Sequence, residues 1–156
     1  MSEPRVRAWG AELRAVHARL RDALEIARES VVDGSAPESA ARDLLIYCWG
    51  FCAALTGHHR SEGGALFPEL LAARPDLAPV IDELVRDHSM LDHLIGGLEA
   101  ALTAGAPVAE TLRHLDGIDA VMETHFRYEE LRLAAVLDGL DDTAHLDRTT
   151  LFGPIA

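Results

Sequence analysis

The residues of this sequence that could do chemistry are histidines and glutamates at helical spacing. His58 and Glu62 are four residues apart, and His125 and Glu129 repeat that spacing. On a helix, four residues correspond to about 40° of rotation and about 6 Å of rise, so each pair leaves one face. Imidazole suits iron, zinc, copper or nickel, and a carboxylate can bridge two metal ions. Polar pairs at this spacing are also common on exposed helix faces, so their meaning depends on whether they point inward.

Four amphipathic segments are available to position these pairs. Apolar residues at a spacing of three and four predict helices over residues 4–32, 35–74, 77–104 and 108–137. Short connections between such segments are typical of an antiparallel bundle. The sequence therefore predicts an all-α, up-down-up-down four-helix bundle over residues 1–139. Residues 140–156 should form a tail, with or without a short helix, that packs loosely or serves as a contact.

Local signals mark the ends of the predicted helices. A capping box over residues 35–38 opens the second helix, and Asp76 should cap the third. Gly63 and Gly64 weaken the second helix, and Pro68 should kink it or restart it.

Each predicted helix carries one histidine on its apolar stripe, and two of the helices add a glutamate. The second stripe also includes Tyr47, and the third includes Val85. A buried carboxylate without a partner costs several kcal/mol, so this set is hard to explain without a cation. The sequence therefore predicts a metal site built from His17, His58, Glu62, His88, His125 and Glu129.

Simpler interpretations exist for the individual residues. A single core histidine is more often a satisfied polar residue than a ligand, and Glu129 could pair with Arg127 or Arg132. His59 lies about 100° from His58 on a helix, so it is either a ligand or a solvated residue on the flank. Asp92, four residues after His88, can face the same interior, as a ligand or as an acceptor for a ligand. Glu130 is about 140° from His125 and is the weaker ligand candidate.

Composition excludes several classes of function. The formal net charge is −12, with 14 basic residues that are all arginine, so nucleic acid and anionic membranes are not expected partners. No stretch has the length or apolar character of a signal peptide or a membrane span. Cys48 and Cys52 lie at an awkward spacing for a disulfide, which favours a reducing, cytoplasmic setting.

Four motifs, one on each predicted helix, extend over residues 7–137. They are Val16-His17-Ala18-Arg19-Leu20, His58-His59-Arg60-Ser61-Glu62-Gly63-Gly64-Ala65-Leu66-Phe67-Pro68, Asp87-His88-Ser89-Met90-Leu91 and His125-Phe126-Arg127-Tyr128-Glu129-Glu130. With these motifs the chain resembles the hemerythrin-like, or HHE cation-binding, family of four-helix di-iron proteins. The resemblance implies two iron ions, bridged by carboxylates and by an oxo, hydroxo or water species. It implies that the bridging carboxylates are Glu62 and Glu129, and that the remaining protein ligands are His17, His58, His88 and His125.

One departure from the family pattern bears on function. The oxygen-carrying members have a His-x-x-x-His on the third helix, and here the second position is Asp92. A missing neutral ligand leaves the iron more open or more anionic, which favours chemistry over reversible oxygen carriage. The resemblance is therefore to the bacterial and iron-sensing branches rather than to the respiratory carriers.

The function that follows is a bacterial di-iron protein that binds O2, peroxide or NO. Peroxide decomposition of a peroxidase or catalase type, or another activity against oxidative or nitrosative stress, would make it an enzyme that works with a redox partner. The alternative is a non-catalytic module that senses or stores oxygen or iron. A site that is only structural is a third hypothesis.

Overall fold

The computed structural model describes residues 8–32, 39–140 and 145–156, and for residues 39–45 it describes the backbone alone. The regular structure in these ranges is helical. The α-helices are α1 Trp9–Val32, α2 Ser39–Ser61, α3 Phe67–Ala73, α4 Ala78–Thr103, α5 Val108–Asp138 and α6 Arg148–Phe152. The capping box expected at residues 35–38 lies outside the described residues. None of the helices in the described ranges is long and apolar enough to cross a membrane.

The long helices pack as a ring. α1 lies against α2 and α5, and α4 lies against the same two helices. Because short connections join helices that are neighbours in this ring, the chain runs up-down-up-down. The all-α four-helix bundle predicted from the sequence is confirmed.

The apolar stripes predicted from spacing form the core. On α4 buried residues recur at a spacing of three and four, which is the pattern of one helix face. They are Ile81, Leu84, His88, Leu91, Ile95, Leu98 and Leu102, and Ala101 is buried beside Leu102. Two residues assigned to stripes do not belong there, because Tyr47 and Val85 are each 46% exposed. Each lies one residue away from a fully buried neighbour, Cys48 and Leu84 respectively, and so falls at the edge of its stripe.

The second long helix is interrupted by a π-helical turn. Residues Glu62–Leu66 form this turn, in which the Phe67 N–H bonds to the Glu62 carbonyl five residues earlier. Pro68 has no N–H and cannot donate the α-helical hydrogen bond to the Gly64 carbonyl. Gly63 and Gly64 lower the conformational free energy of the change in hydrogen-bond register, because glycine adopts many backbone conformations. The α-helix then restarts at Phe67 with Pro68 in its first turn. Such turns, which insert a residue and re-aim side chains, are frequent at functional sites.

The start of α4 differs from expectation. Leu77 is the residue at the N-cap, and no side chain caps the helix. Asp76 instead accepts two hydrogen bonds from the Arg74 guanidinium, at 2.8 and 2.7 Å. The expectation that Asp76 caps this helix is therefore wrong, because its carboxylate is engaged by a nearby arginine.

The described part of the C-terminal tail packs on the bundle. Helix α6 contacts α1, α2 and the π turn. Leu151 and Phe152 are fully buried, and the Phe152 ring lies 6.1 Å from the Trp9 ring. Loose packing, one of the two expectations for the tail, is wrong for these residues because their side chains complete the core. The domain boundary placed at residue 139 stays a prediction.

Candidate metal centre

The bundle brings the six predicted site residues together in its interior. His17 comes from α1, His58 from α2, Glu62 from the π turn and His88 from α4, and α5 supplies both His125 and Glu129. All six are buried. Each histidine points into the bundle because it occupies a position on the apolar stripe of its helix. Packing of the helices through these stripes therefore brings the imidazoles and carboxylates close together.

The donor atoms fall into two groups. His17, His58 and Glu129 form the first group, and His59, Glu62, His88 and His125 form the second. Within each group, one ligand atom from every residue lies within 4.8 Å of the others. Each group is of the size and composition that binds a metal ion.

Glu129 faces both groups. Its Oε1 lies 3.2 Å from His17 Nε2 in the first group, and its Oε2 lies 3.3 Å from His125 Nε2 in the second. Glu62 also reaches both, since its Oε1 lies 2.9 Å from His58 Nε2 and 3.5 Å from His88 Nε2. Both carboxylates therefore occupy the seam between the groups, where a bridging ligand would lie.

Many buried polar atoms of the site lack hydrogen-bond partners within the described part of the chain. These atoms include both oxygens of Glu62 and of Glu129, and Nε2 of His17, His58 and His59. The contacts of 2.9–3.5 Å between carboxylate oxygens and histidine Nε2 atoms lack hydrogen-bond geometry. They are close to the separation of two ligands on one metal ion. Two donor atoms that each lie about 2.1 Å from an ion, at right angles to each other, are about 3 Å apart. The donor set therefore fits a metal, whereas unpaired buried carboxylates would be strongly destabilising without one.

Outer partners orient two of the histidines through their second ring nitrogen. His58 Nδ1 lies 2.7 Å from the Phe152 carbonyl, to which it donates a hydrogen bond. His125 Nδ1 lies 3.1 Å from Asp87 Oδ2. A donated Nδ1–H leaves the Nε2 lone pair free toward the site, as metal-binding histidines require.

A third outer partner, the carboxylate of Glu130, lies beside His17. Glu130 Oε2 is 3.8 Å from His17 Nδ1 and 3.5 Å from an Arg21 nitrogen. Arg21 also donates a hydrogen bond to Glu123 at 2.9 Å. A series of ion pairs therefore connects His17 of the first group with the surface.

The carboxylates dominate the electrostatics of the site. Burial lowers the pKa of His125, but Glu129, Glu62 and Asp87 outweigh burial and raise it to about 9. The pKa of His17 is likewise raised: burial opposes this, and the carboxylates of Glu129 and Glu130 prevail. The pKa of Glu62 stays well below its usual range, since the facing histidines overcome the effect of burial. The site thus favours positive charge.

His59 behaves differently from the other histidines. Burial, and then the neighbouring His88, His58 and His125, lower its pKa well below the usual value. Its ring stacks on His88, with centroids 3.9 Å apart and planes 15° apart. His59 is therefore held as neutral imidazole, which is the form that binds metal ions.

Apolar rings line the rest of the site. Phe126 stacks on His17 with centroids 3.8 Å apart, and Phe67 lies 5.4 Å from His88. Among the candidate ligands, only the His88 side chain has appreciable exposure, at 11%. The site is consequently shielded from bulk water and open at the His88 edge.

The remaining sequence candidates fall outside the two groups. Asp92 is exposed and does not approach the site, and Glu130 is half-buried and contacts His17 only from outside. Arg127 pairs with Glu123, and Arg132 lies over the Tyr128 ring, so Glu129 is not neutralised in the way the simpler interpretation required.

His59 is the residue that sequence reasoning left undecided and that the structure places in the second group. A signal for it was present. Cys48, Cys52, Leu55, His59, Glu62 and Leu66 follow a four-three alternation, which is the pattern of a buried helix face.

Comparison with known protein families agrees with this geometry. Residues 11–145 match the model of the hemerythrin HHE cation-binding domain. The chain belongs to the hemerythrin HHE cation-binding family. No curated protein and no solved structure matches the chain. Membership of this family, together with the two His/Glu groups, supports binding of a cation in the interior of the bundle.

Proposed function

We propose that this hemerythrin-domain chain is a non-haem di-iron protein that binds O2, peroxide or NO. One observation carries the proposal. Glu129 is fully buried, and its two oxygens face histidines of two different groups at 3.2 and 3.3 Å. A carboxylate in that position neutralises and links two cations, and a single ion would leave one oxygen without a partner.

The proposed ligands are the six residues predicted from the sequence, with His59 added. The first group then has two histidines and one carboxylate, a set that leaves open positions on non-haem iron. The second group has three histidines and the carboxylate of Glu62. When bound, the iron pair would supply a redox-active centre for the small ligand.

The donor chemistry favours iron over structural zinc. A structural zinc site is closed, tetrahedral and often thiolate-bound. Here Cys48 and Cys52 are buried elsewhere in the core and belong to neither group. Imidazole with carboxylate, distributed over two neighbouring ions, is the combination found in helical di-iron proteins.

The protein around the metal ions controls access. The rings of Phe126 and Phe67 exclude water on two sides, and the exposed edge of His88 leaves an approach for a diatomic molecule or peroxide. Such a site can decompose peroxide in two ways: disproportionation gives oxygen and water without a partner, and reduction to water takes two electrons from a redox partner. The narrow approach also favours a second candidate, in which the chain senses or stores oxygen or iron without turnover.

Metal analysis with a functional assay tests the proposal. Protein loaded anaerobically with ferrous iron should hold two irons per chain, and His58→Ala should lose at least one of them. Oxygen release from hydrogen peroxide that disappears in His58→Ala supports an enzyme. A reversible change of the optical spectrum without turnover supports the sensing or storage candidate. One tightly bound zinc per chain, with no affinity for iron, would contradict both.

A further inference from the structure

The C-terminal segment, residues 151–156, reaches the candidate metal centre through its backbone. Helix α6 ends at Phe152, whose carbonyl is one of the terminal carbonyls left without an intrahelical partner. The nearest donor is the His58 ring, with its Nδ1 2.7 Å away in a fully buried contact. The tail thus completes the hydrogen bonding of a candidate ligand.

Gly153 makes this close approach possible. Its φ is +93°, a conformation that L side chains rarely adopt. A Cβ at this position would lie 3.0 Å from the Gly57 carbonyl group and from the His58 Cα. Only glycine therefore allows the end of α6 to rest directly on the turn of α2 that carries His58.

Several contacts hold the segment in place. Asp147 caps α6 by accepting hydrogen bonds from the Thr150 backbone and hydroxyl at 3.2 and 3.0 Å. Arg19 donates to the Ile155 carbonyl at 3.2 Å, and Arg148 pairs with Glu12 at 3.2 Å. Because Arg19 and Glu12 belong to α1 while His58 belongs to α2, the segment is fixed across two helices.

We infer that residues 151–156 are a positioning element for the first metal group, acting through the Phe152 carbonyl on His58. The carbonyl accepts the Nδ1 proton, so His58 is held in one tautomer with its Nε2 directed at Glu62 and the first group. This inference rests on the proposed function for its consequence in metal binding. The tautomer itself does not depend on bound metal.

The test compares two glycines that both have positive φ. Gly153→Ala introduces a Cβ that forces the segment away from His58, and we expect metal affinity of the first group to fall by about 10–100-fold. Gly105→Ala is the matched control, since its φ is +66° and nothing lies within 4 Å of the added Cβ. Ferrous iron affinity of each variant is measured by anaerobic chelator competition. In parallel, nitrogen-15 NMR of the metal-free protein reports the His58 tautomer.

The expected result is specific to one of the two metals. Gly153→Ala should lose the Nδ1–H tautomer of His58 and weaken one iron while the other is retained. Gly105→Ala should match the wild type in both measurements. A folded Gly153→Ala protein with the wild-type tautomer and two wild-type affinities would overturn the inference.

A second pair of variants covers the case in which Gly153→Ala does not fold. An added Cβ at Gly57 would meet only Pro154, at 3.2 and 3.4 Å from two ring carbons. Gly57→Ala should therefore displace the segment slightly and weaken one iron, and adding Pro154→Ala should restore it. No effect of Gly57→Ala on tautomer or affinity, or no rescue, would refute the positioning role. Wild-type protein that binds no iron would refute the proposed function, and the tautomer comparison would still decide the role of the segment.

Discussion

Replacing Glu129 by glutamine should weaken both metal sites at once. The substitution keeps the shape of the side chain and removes its charge, while the two oxygen positions face His17 and His125 at 3.2 and 3.3 Å. A neutral amide cannot bridge two cations, because its nitrogen donates rather than accepts hydrogen bonds and does not ligate metal ions. The amide therefore keeps an oxygen toward one group and presents a nitrogen to the other, while both groups lose the negative charge between them.

The magnitude follows from linkage between metal binding and folding. Free metal at a hundred times its dissociation constant stabilises the folded chain by about 2.7 kcal/mol per site, or about 5.4 kcal/mol for two sites. If the substitution weakens each site about a hundredfold, the gain falls to about 0.4 kcal/mol per site. The variant should therefore forgo about 4–5 kcal/mol of metal-dependent stabilisation, which corresponds to roughly 10–20 °C in melting temperature for a domain of this size.

The assay is urea unfolding of wild type and variant, each with and without ferrous iron under anaerobic conditions, together with iron content per chain. Glu123→Gln is the control, since Glu123 also lies on α5 and pairs with Arg21 away from the two groups. It should keep the full metal-dependent gain. A Glu129→Gln protein that keeps wild-type affinity at both sites, or that is weakened at only one, would show that Glu129 does not serve both groups.

Three further predictions rest on other features. His59→Ala should weaken only the second group, at least tenfold, as a two-step metal titration would show; equal loss at both sites would contradict the grouping. Burial raises the pKa of Cys48 to about 11 and that of Cys52 to about 12, so both thiols should resist thiol reagents at pH 8 until urea unfolds the chain. Fast reaction of Cys48 or Cys52 with a thiol reagent in the folded protein would contradict the burial of these side chains. Leu91→Ala, at a fully buried position, should cost about 2–5 kcal/mol in denaturant unfolding, whereas Met90→Ala, at a position 54% exposed, should change stability by less than about 0.5 kcal/mol.

The long helices were predictable because the pattern that defines them is local. A three-four alternation of apolar residues marks one helix face, and in α4 that alternation reaches from Ile81 to Leu102 with His88 included. Such a pattern is sufficient to place histidines in the core, because every residue on the apolar face of a helix points into the bundle when that face is buried. The contact of Phe152 with His58 was not predictable, since the two residues are 94 positions apart and meet only through tertiary packing.

The undecided role of His59 and the misplacement of Tyr47 have the same cause. Centring the α2 stripe on the sequence pattern put Tyr47 inside it and His59 on its flank. Over residues 46–61, where the structure describes the side chains of α2, the buried residues are instead Cys48, Phe51, Cys52, Leu55, His58 and His59. At about 100° per residue, the centre of this buried face lies about 30° from the centre of the predicted one. With that rotation, Tyr47 falls outside the face, and Cys52 and His59 fall inside it.

An error of that size is unimportant for a Leu in a broad apolar face. It matters for a site with two groups, because neighbouring residues of one helix then belong to different groups, with His58 in the first and His59 in the second. The sequence alone does not show that the donor atoms form two groups, because that division depends on how the helices pack. Without it, the choice between His58 and His59 as the inward-facing histidine could not be made correctly.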